Sequence, residues 1–208
     1  MNRPLLFLPG PNPPTTAPRG LLLCDRDGTV IENRDSYVLS SSDVRFLPGA
    51  AAALGRAAAD GLAVLLVSNQ SPVGRGLLTE GDCVRLHEQI VSTLVAAGVP
   101  VAGSWLCPHT PQAGCGCRKP APGMARAAQH RFGVPPDRCF FVGDSAEDMG
   151  AAVASGCRPF LVRTGRGAAH EPLVRSRPDL RDVQVVDDLA AAVAATEPAR
   201  ASHWTERA

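Results

Sequence analysis

The chain has 208 residues, 45% of them apolar, and a formal net charge of +1. This length suits one domain with one core, and the charge excludes the basic excess that nucleic-acid-binding proteins usually carry. The apolar run from Leu5 to Leu8 is too short for a signal peptide or a membrane span. We therefore expect a cytoplasmic monomer that binds neither nucleic acid nor membrane.

Apolar runs and helical segments alternate along the chain. Strands are predicted over 21–25, 62–69, 101–107, 138–144 and 157–165, and helices over 48–61, 79–98, 122–133 and 146–155, before a final strand-and-helix segment over 183–195. Because parallel strands need crossover connections, this alternation predicts an α/β fold of the Rossmann-like type, with helices on both faces of a parallel sheet. We expect one domain over 20–195, a disordered proline-rich tail over 1–19 and a flexible tail over 196–208.

Polar side chains follow four of the predicted strands. They are Asp25 and Asp27, then Ser68 to Ser71, then Arg118 and Lys119, and then Asp144 with Asp148. Ligands of such sheets bind beyond the carboxyl ends of the strands, so these groups are expected to converge. Taken singly, each has a plainer interpretation as a turn residue, a helix cap or a surface charge. Their ordered appearance, each at the end of an apolar run, favours a functional site.

The chemistry of these groups suits phosphoryl transfer. Two carboxylates, Asp25 and Asp27, can divide the work of nucleophile and proton carrier. The hydroxyl and amides at Ser68 can hold phosphate oxygens, and Lys119 supplies positive charge. Asp25 and Asp144 together offer the hard oxygen ligands that Mg²⁺ prefers. The sequence therefore predicts a nucleophile, an acid, a phosphate clamp and a metal at one edge of the sheet.

A cysteine-rich loop precedes Arg118. Cys107 and His109 form one short pair and Cys115 with Cys117 another, with five residues between the pairs. This spacing predicts a tetrahedral Zn²⁺ site, and four protein ligands leave no open position for a reactive water, so the zinc is expected to be structural. The plainer interpretation is a loop with unligated cysteines. Such a cluster suits a reducing compartment.

The sequence resembles the haloacid dehalogenase superfamily in four ordered motifs. These are DRDGT at 25–29, SNQ at 68–70, RKP at 118–120 and GDSAEDM at 143–149. The resemblance implies that Asp25 forms an aspartyl-phosphate and that Asp27 is the general acid and base. It also implies that Ser68 and Lys119 stabilise the phosphoryl group. Mg²⁺ would be held by Asp25, Asp144 and the backbone carbonyl of Asp27, with Asp148 in support.

The zinc loop narrows the resemblance to one subfamily, IIIA. A zinc loop just before the motif lysine is similar to that of the D-glycero-D-manno-heptose 1,7-bisphosphate phosphatases and of the histidinol-phosphate phosphatases. The segments DSYV at 35–38, FLPG at 46–49 and NQSPVGRG at 69–76 resemble the heptose enzymes, whereas the five-residue gap resembles the histidinol-phosphate enzymes. The matched segments favour a sugar bisphosphate, and the resemblance to the heptose enzymes implies hydrolysis at its 7-phosphate. Histidinol phosphate or another small sugar phosphate is the alternative.

The substrate contacts carried over from this resemblance are Arg34, Asp35, Tyr37, Asn69, Gln70, Ser71 and Arg118. No insertion between the motifs is long enough for a large cap domain, so an open site is expected. Two other functions stay open: a zinc-stabilised binding protein without catalysis, and a phosphotransferase or phosphomutase of the same fold. The presence of Asp25, Asp27, Lys119 and Asp144 favours an enzyme, and the missing cap favours hydrolysis because water is not excluded.

Overall fold

The computed structural model describes residues 6–11 and 13–196, and these residues form a seven-stranded sheet with helices on both faces. The strands are β1 (Leu6–Pro9), β2 (Gly20–Cys24), β3 (Leu62–Asn69), β4 (Val101–Cys107), β5 (Cys139–Gly143), β6 (Arg158–Val162) and β7 (Gln184–Val186). The α-helices are α1 (Ala50–Ala59), α2 (Ser71–Gly74), α3 (Glu80–Ala96), α4 (Gly123–Phe132), α5 (Ala146–Ala154), α6 (Gly167–Arg175) and α7 (Leu189–Ala194).

The strand order is β1-β4-β3-β2-β5-β6-β7, and every pair is parallel except β1 with β4. Successive residues of β2 enter different cores, because side chains alternate along a strand. Leu22 packs towards α1, α3 and α7, whereas Leu21 and Leu23 pack towards α4 and α5. A central strand buried on both faces explains the unbroken apolar run of β2. The predicted Rossmann-like α/β fold is confirmed.

The N-terminal segment departs from the prediction. Residues 1–19 are predicted as a disordered tail, but Leu6–Pro9 forms edge strand β1 and pairs antiparallel with β4. The Phe7 ring lies 4.6 Å from the Trp105 ring, and the Arg131 guanidinium lies 4.1 Å from the centre of the Phe7 ring. These contacts anchor the strand to the sheet. Residues 1–5 and 12 of the predicted tail lie outside the described residues.

The C-terminal third also contains an element that periodicity missed. Helix α6 follows β6, although the sequence predicts no helix there. Its interior Pro172 and its first residue, Gly167, weaken the helical pattern. Thr196, predicted to begin the flexible tail, is buried at 1% exposure, whereas residues 197–208 lie outside the described part of the chain.

The site edge of the sheet is formed by the loops after β2, β3, β4, β5 and β6. The order of the sheet reverses at β2, which lies between β3 and β5, and this is where ligands of such folds bind. The connections over 25–49 and 70–79 hold only short helices and no further domain. None of the described helices has the length and apolar character needed to cross a bilayer.

Candidate active site

Asp25 follows β2 directly and lies at the floor of a cleft. Its backbone N–H donates to the carbonyl of Val142 on β5 at 2.8 Å, so the chain is still held by the sheet where its carboxylate emerges. The chain then turns sharply at Gly28, whose φ is +91°. A Cβ atom at Gly28 would lie 1.9 Å from Asp144 Oδ2, so only glycine allows the two loops to approach this closely.

Lys119 reaches Asp25 from the segment between β4 and α4. Its Nζ lies 2.5 Å from Asp25 Oδ1 and 2.6 Å from Asp148 Oδ1, and it donates to the carbonyl of Val67 at 3.1 Å. The lysine is 4% exposed. Burial alone would lower the pKa of Lys119, but the carboxylates of Asp148 and Asp25 outweigh burial and raise it above the ordinary range. Lys119 is therefore a permanent cation beside Asp25.

Asp25, Asp144 and Asp148 form an acidic cluster, with ligand oxygens within 4.8 Å of one another. When all three carboxylates are ionised, they exceed the single ammonium of Lys119 by two negative charges. Burial raises the pKa of Asp25 well above its usual value, with a smaller rise from Asp148, Asp144 and Asp27 and an opposing effect of Lys119. Burial, followed by the charge of Asp148, raises the pKa of Asp144 to about 7. This charge imbalance is what a divalent cation would neutralise.

Asp144 and Asp148 are each fixed by other groups. Asp144 Oδ2 accepts hydrogen bonds from Asn33 Nδ2 and from the backbone N–H of Arg166, both at 2.8 Å. Asp148 Oδ2 accepts from the backbone N–H of Ser145 at 3.1 Å and from its hydroxyl at 2.5 Å, forming the capping box of α5. Asp148 thus caps a helix with one oxygen and pairs with Lys119 through the other.

Asp27 lies between side chains from two strand ends. Arg26 grips it with two hydrogen bonds of 3.0 Å, from Nε to Oδ2 and from Nη2 to Oδ1. Oδ2 also accepts from Gln70 Nε2 at 3.3 Å and from Ser68 Oγ at 3.4 Å. Gln70 Nε2 in turn donates to Ser68 Oγ at 2.8 Å. Four donors from three residues therefore define where the Asp27 carboxylate lies.

Asn69 connects the end of β3 to the lysine segment. Its Oδ1 accepts from the backbone N–H of Lys119 at 3.0 Å, and its Nδ2 donates to the carbonyl of the same residue at 3.1 Å. Both ends of the amide are therefore used on the Lys119 backbone. Asn69 was predicted as a substrate contact, and in the observed geometry its amide holds the backbone of Lys119 in position.

The four residues predicted to bind zinc converge. Cys117 Sγ lies 3.4 Å from the sulfur atoms of both Cys107 and Cys115, and 3.3 Å from His109 Nδ1. Cys107 Sγ lies 3.4 Å from His109 Nδ1 and 3.8 Å from Cys115 Sγ. Zn–S bonds of about 2.3 Å imply S···S edges of about 3.8 Å in a tetrahedron. The sulfur and nitrogen atoms therefore lie at distances that suit one tetrahedral ion.

The zinc-type loop also orients Arg118. Its Nη1 donates to Ser71 Oγ at 2.7 Å and to the carbonyl of His109 at 3.1 Å. Arg34 is held differently, because its Nε donates to the carbonyl of Asp43 at 3.0 Å. Both arginines line the same cleft. One is fixed by the cysteine loop and the other by the loop after β2.

The cleft above these residues has a volume of about 390 Å³. It brings together nearly all of the predicted catalytic and substrate residues: Asp25, Asp27, Arg34, Tyr37, Ser68, Asn69, Gln70, Ser71, Arg118, Lys119 and Asp144. Asp35 is the exception, because it is exposed and does not line the cleft. Tyr37 adopts a positive φ of +72°, an uncommon conformation for a residue with a side chain.

Several lining residues were not predicted. They are Arg26, Asn33, Val38, Pro72, Arg75, Ser145, Glu147, Arg166 and His170. His170 Nδ1 accepts from the backbone N–H of Ala146 at 3.0 Å, so this helix α6 residue supports the loop that carries Asp144. Arg166 lies in the loop after β6, a strand that ends at Val162. Applying the strand-end rule to β6 would therefore have found it.

The sequence is similar to known proteins of one family. A family model described as HAD-hydrolase-like matches residues 116–192. The D-glycero-beta-D-manno-heptose-1,7-bisphosphate 7-phosphatase of Bordetella bronchiseptica is 39% identical over 147 residues, covering 71% of this chain and 82% of the relative. The enzyme of the same name from Pseudomonas putida is 34% identical over 171 residues, covering 82% and 95%.

The chain belongs to the haloacid dehalogenase (HAD) family of phosphatases. The family resemblance and the enzyme class predicted from the sequence are thereby confirmed.

Solved structures of HAD proteins agree with this membership. The crystal structure of D,D-heptose 1,7-bisphosphate phosphatase from B. bronchiseptica, complexed with magnesium and phosphate, has a TM-score of 0.79 and 35% identity. It covers 85% of this chain and 97% of the other. A putative HAD-like phosphatase from Mesorhizobium loti, at 24% identity and a TM-score of 0.72, covers 94% and 95% and supports the fold alone.

Proposed function

We propose that this HAD phosphatase is a Mg²⁺-dependent phosphomonoester hydrolase that removes the 7-phosphate of D-glycero-D-manno-heptose 1,7-bisphosphate. The observation that carries the hydrolase mechanism is the buried Asp25–Lys119 pair inside the cluster of three carboxylates that Asp25, Asp144 and Asp148 form. The sugar is supported by relatives of 34–39% identity that are named as 7-phosphatases of this bisphosphate.

The reaction proceeds in two transfers. Asp25 attacks phosphorus with a carboxylate oxygen, the bond from phosphorus to the sugar oxygen breaks, and Asp27 gives its proton to that departing oxygen. Water then attacks the aspartyl-phosphate while Asp27, now ionised, takes a proton from the water. Inorganic phosphate leaves and Asp25 is restored. Ser68 and Lys119 stabilise the negative charge on the phosphoryl oxygens throughout.

The residues present suit Mg²⁺, because oxygen ligands and a local excess of negative charge are what that ion requires. The carboxylates of Asp25 and Asp144 would hold it together with the backbone carbonyl of Asp27, and Asp148 would support the site from behind. When bound, the ion would neutralise charge on the transferring phosphoryl group.

The Cys107, His109, Cys115 and Cys117 cluster is assigned to a structural zinc. Four protein ligands complete a tetrahedron and leave no position for a reactive water. The contact from Arg118 to the His109 carbonyl supports this role, because it connects the loop to the cleft without placing the loop in the reaction path. The zinc would stabilise the loop that positions Arg118, and it would take no part in the transfer of the phosphoryl group.

The second phosphate of the substrate would meet arginines at the rim of the cleft. Arg118 is preoriented by two acceptors, which leaves its remaining donors for a planar two-point grip on a phosphate. Arg34 and Tyr37 lie on the opposite loop and would contact the sugar. We assign selectivity to these loops, since the connections over 25–49 and 70–79 carry no cap domain.

Hydrolysis of a panel of phosphomonoesters tests this function. With Mg²⁺ present, heptose 1,7-bisphosphate should give a higher kcat/KM than other sugar phosphates and than histidinol phosphate, the competitor suggested by the five-residue spacing between His109 and Cys115. Phosphate release should disappear when Mg²⁺ is chelated. A higher kcat/KM for histidinol phosphate would overturn the choice of substrate and leave the mechanism intact.

A further inference from the structure

Two buried side chains beside the active site have polar atoms without partners. Arg26 is 1% exposed and His87 is 0% exposed. Arg26 Nη1 and both ring nitrogens of His87 find no hydrogen-bond partner among the described residues. Buried polar groups are nearly always paired, so these three unpaired nitrogens call for a physical reason.

Arg26 and helix α3, which carries His87, meet at Gln70. Arg26 Nη2 donates to Gln70 Oε1 at 3.2 Å, and Cys83 Sγ on α3 lies 3.8 Å from the same oxygen. His87 follows Cys83 by four positions and therefore occupies the same face of α3, one turn further on. The buried face of α3 thus presents His87 to the region where the guanidinium of Arg26 lies.

The bonding capacities of the two side chains are complementary. Burial, followed by the charge of Arg26, lowers the pKa of His87 to about 3, so its ring is neutral at neutral pH. A neutral imidazole has one nitrogen that accepts a hydrogen bond. Arg26 Nη1 is a donor without an acceptor, and His87 offers an acceptor without a donor.

We propose that Arg26 and His87 are positioning residues for proton transfer by Asp27. Nη1 of Arg26 donates to the accepting ring nitrogen of His87 through one bound water, and this contact fixes the guanidinium. The other two donors of Arg26 then hold both oxygens of Asp27 at 3.0 Å. The inference rests on the proposed function, in which Asp27 carries the proton. Neither Arg26 nor His87 exchanges a proton with the substrate.

Comparing two leaving groups distinguishes a misplaced Asp27 from a general loss of stability, because a general loss would lower the activity on both substrates. A sugar alkoxide needs a proton as it departs, whereas p-nitrophenolate does not. The ratio kcat/KM reports steps up to departure of the leaving group and omits the later hydrolysis of the aspartyl-phosphate. Misplacing Asp27 should therefore lower kcat/KM for a sugar phosphate and leave that for p-nitrophenyl phosphate nearly unchanged.

Four variants make this test specific. Arg26→Met and His87→Phe should each lower kcat/KM for the sugar bisphosphate by about 10- to 100-fold, and change that for p-nitrophenyl phosphate by no more than about threefold. His87→Gln, which keeps an acceptor, should retain activity within about threefold. Ile90→Val, one turn along the same buried face of α3, should leave both ratios unchanged.

Asp27→Asn distinguishes a failure of the proposed role of Asp27 from a failure of the positioning role of Arg26 and His87. If Asp27→Asn shows no selective loss on the sugar phosphate, the proposed role of Asp27 fails. Suppose that Asp27→Asn shows the selective loss. If His87→Phe then lowers kcat/KM equally for both substrates, or for neither, the positioning role fails. Should His87→Phe not fold, the ring ¹⁵N shifts of His87 in the wild-type protein decide. A neutral ring with a hydrogen-bonded acceptor nitrogen supports the inference, and an unbonded acceptor overturns it.

Discussion

The ammonium group of Lys119 lies 2.5 Å from the carboxylate of Asp25, although the two residues are 94 positions apart in the chain. Both side chains are almost fully buried. Such a pair is costly to separate, because removing one partner leaves the other charge without compensation. The pair therefore connects the stability of the fold to the placement of the reacting group.

Replacing Asp25 with asparagine should abolish phosphate release and preserve the fold. An amide has no nucleophilic carboxylate oxygen, so we expect a loss of about 10³-fold or more in kcat. Lys119 keeps Asp148 as its partner in this variant. Asp182→Asn, an exposed change outside the cleft, is the control and should keep full activity. Retained turnover in Asp25→Asn, measured with an intact circular dichroism spectrum, would contradict the proposed nucleophile.

Asp148→Asn should destabilise the protein more than Asp82→Asn does. Both aspartates complete a capping box, of α5 and α3 respectively, but only Asp148 is buried and paired with Lys119. Losing a cap interaction costs about 1 kcal/mol, whereas breaking a buried ion pair costs about 3–5 kcal/mol. Urea unfolding of the two variants measures the difference. Equal losses would mean that the Lys119 contact adds nothing to stability.

Cys115→Ser should remove the zinc and lower stability. Cys115 is only partly buried, so the packing change alone is small, and a large loss would report the metal. Cys157→Ala is the control, because Cys157 is buried and lies outside the cluster. Metal analysis should find zinc in the control and little in Cys115→Ser, with the lower melting temperature in Cys115→Ser. An unchanged melting temperature with lost activity would instead indicate a catalytic metal.

His87 should make the protein less stable towards acid. Burial, followed by the charge of Arg26, lowers the pKa of His87 from 6.5 to about 3 in the folded state. Between these values the unfolded chain binds a proton that the folded chain does not. Stability is therefore present above about pH 6.5 and falls as the pH drops, by up to about 1.4 kcal/mol per pH unit.

Unfolding of wild type and His87→Gln between pH 7 and pH 4.5 checks this expectation. The free energy of unfolding should fall less steeply in His87→Gln, because glutamine does not titrate. Both proteins keep every other titratable group, so the difference between the two curves isolates His87. Parallel curves would show that His87 is protonated in the folded protein.

Much of the site could be predicted because its residues follow strands in short motifs. Asp25 and Asp144 directly follow strands, and the segment with Lys119 follows β4, so the strand-end rule pointed to all three. The zinc-type ligands were predicted from the spacing of their cysteines and histidine. Arg26 was not predicted as a site residue, because it stands between the two aspartates of the motif. Its role depends on Gln70 from another strand end and on the buried face of α3, and neither is visible in local spacing.

The central part of the fold could also be predicted from the sequence, whereas one edge strand and one helix could not. Long apolar runs identified the five central strands, whereas β1 was missed because its pairing with β4 and the packing of Phe7 on Trp105 are tertiary contacts. Neighbouring prolines also lower the strand propensity of that segment. Helix α6 was missed for a related reason, since its interior proline interrupts the period that helix prediction relies on.

Strand β1 has a practical consequence for anyone shortening this protein. It covers the outer edge of β4, the strand that ends at the zinc-type ligand Cys107. Removing residues up to Arg19 would leave a bare strand edge and uncover Trp105, which is the arrangement that promotes pairing between separate molecules. A protein shortened in this way would therefore be more prone to aggregation than the full chain.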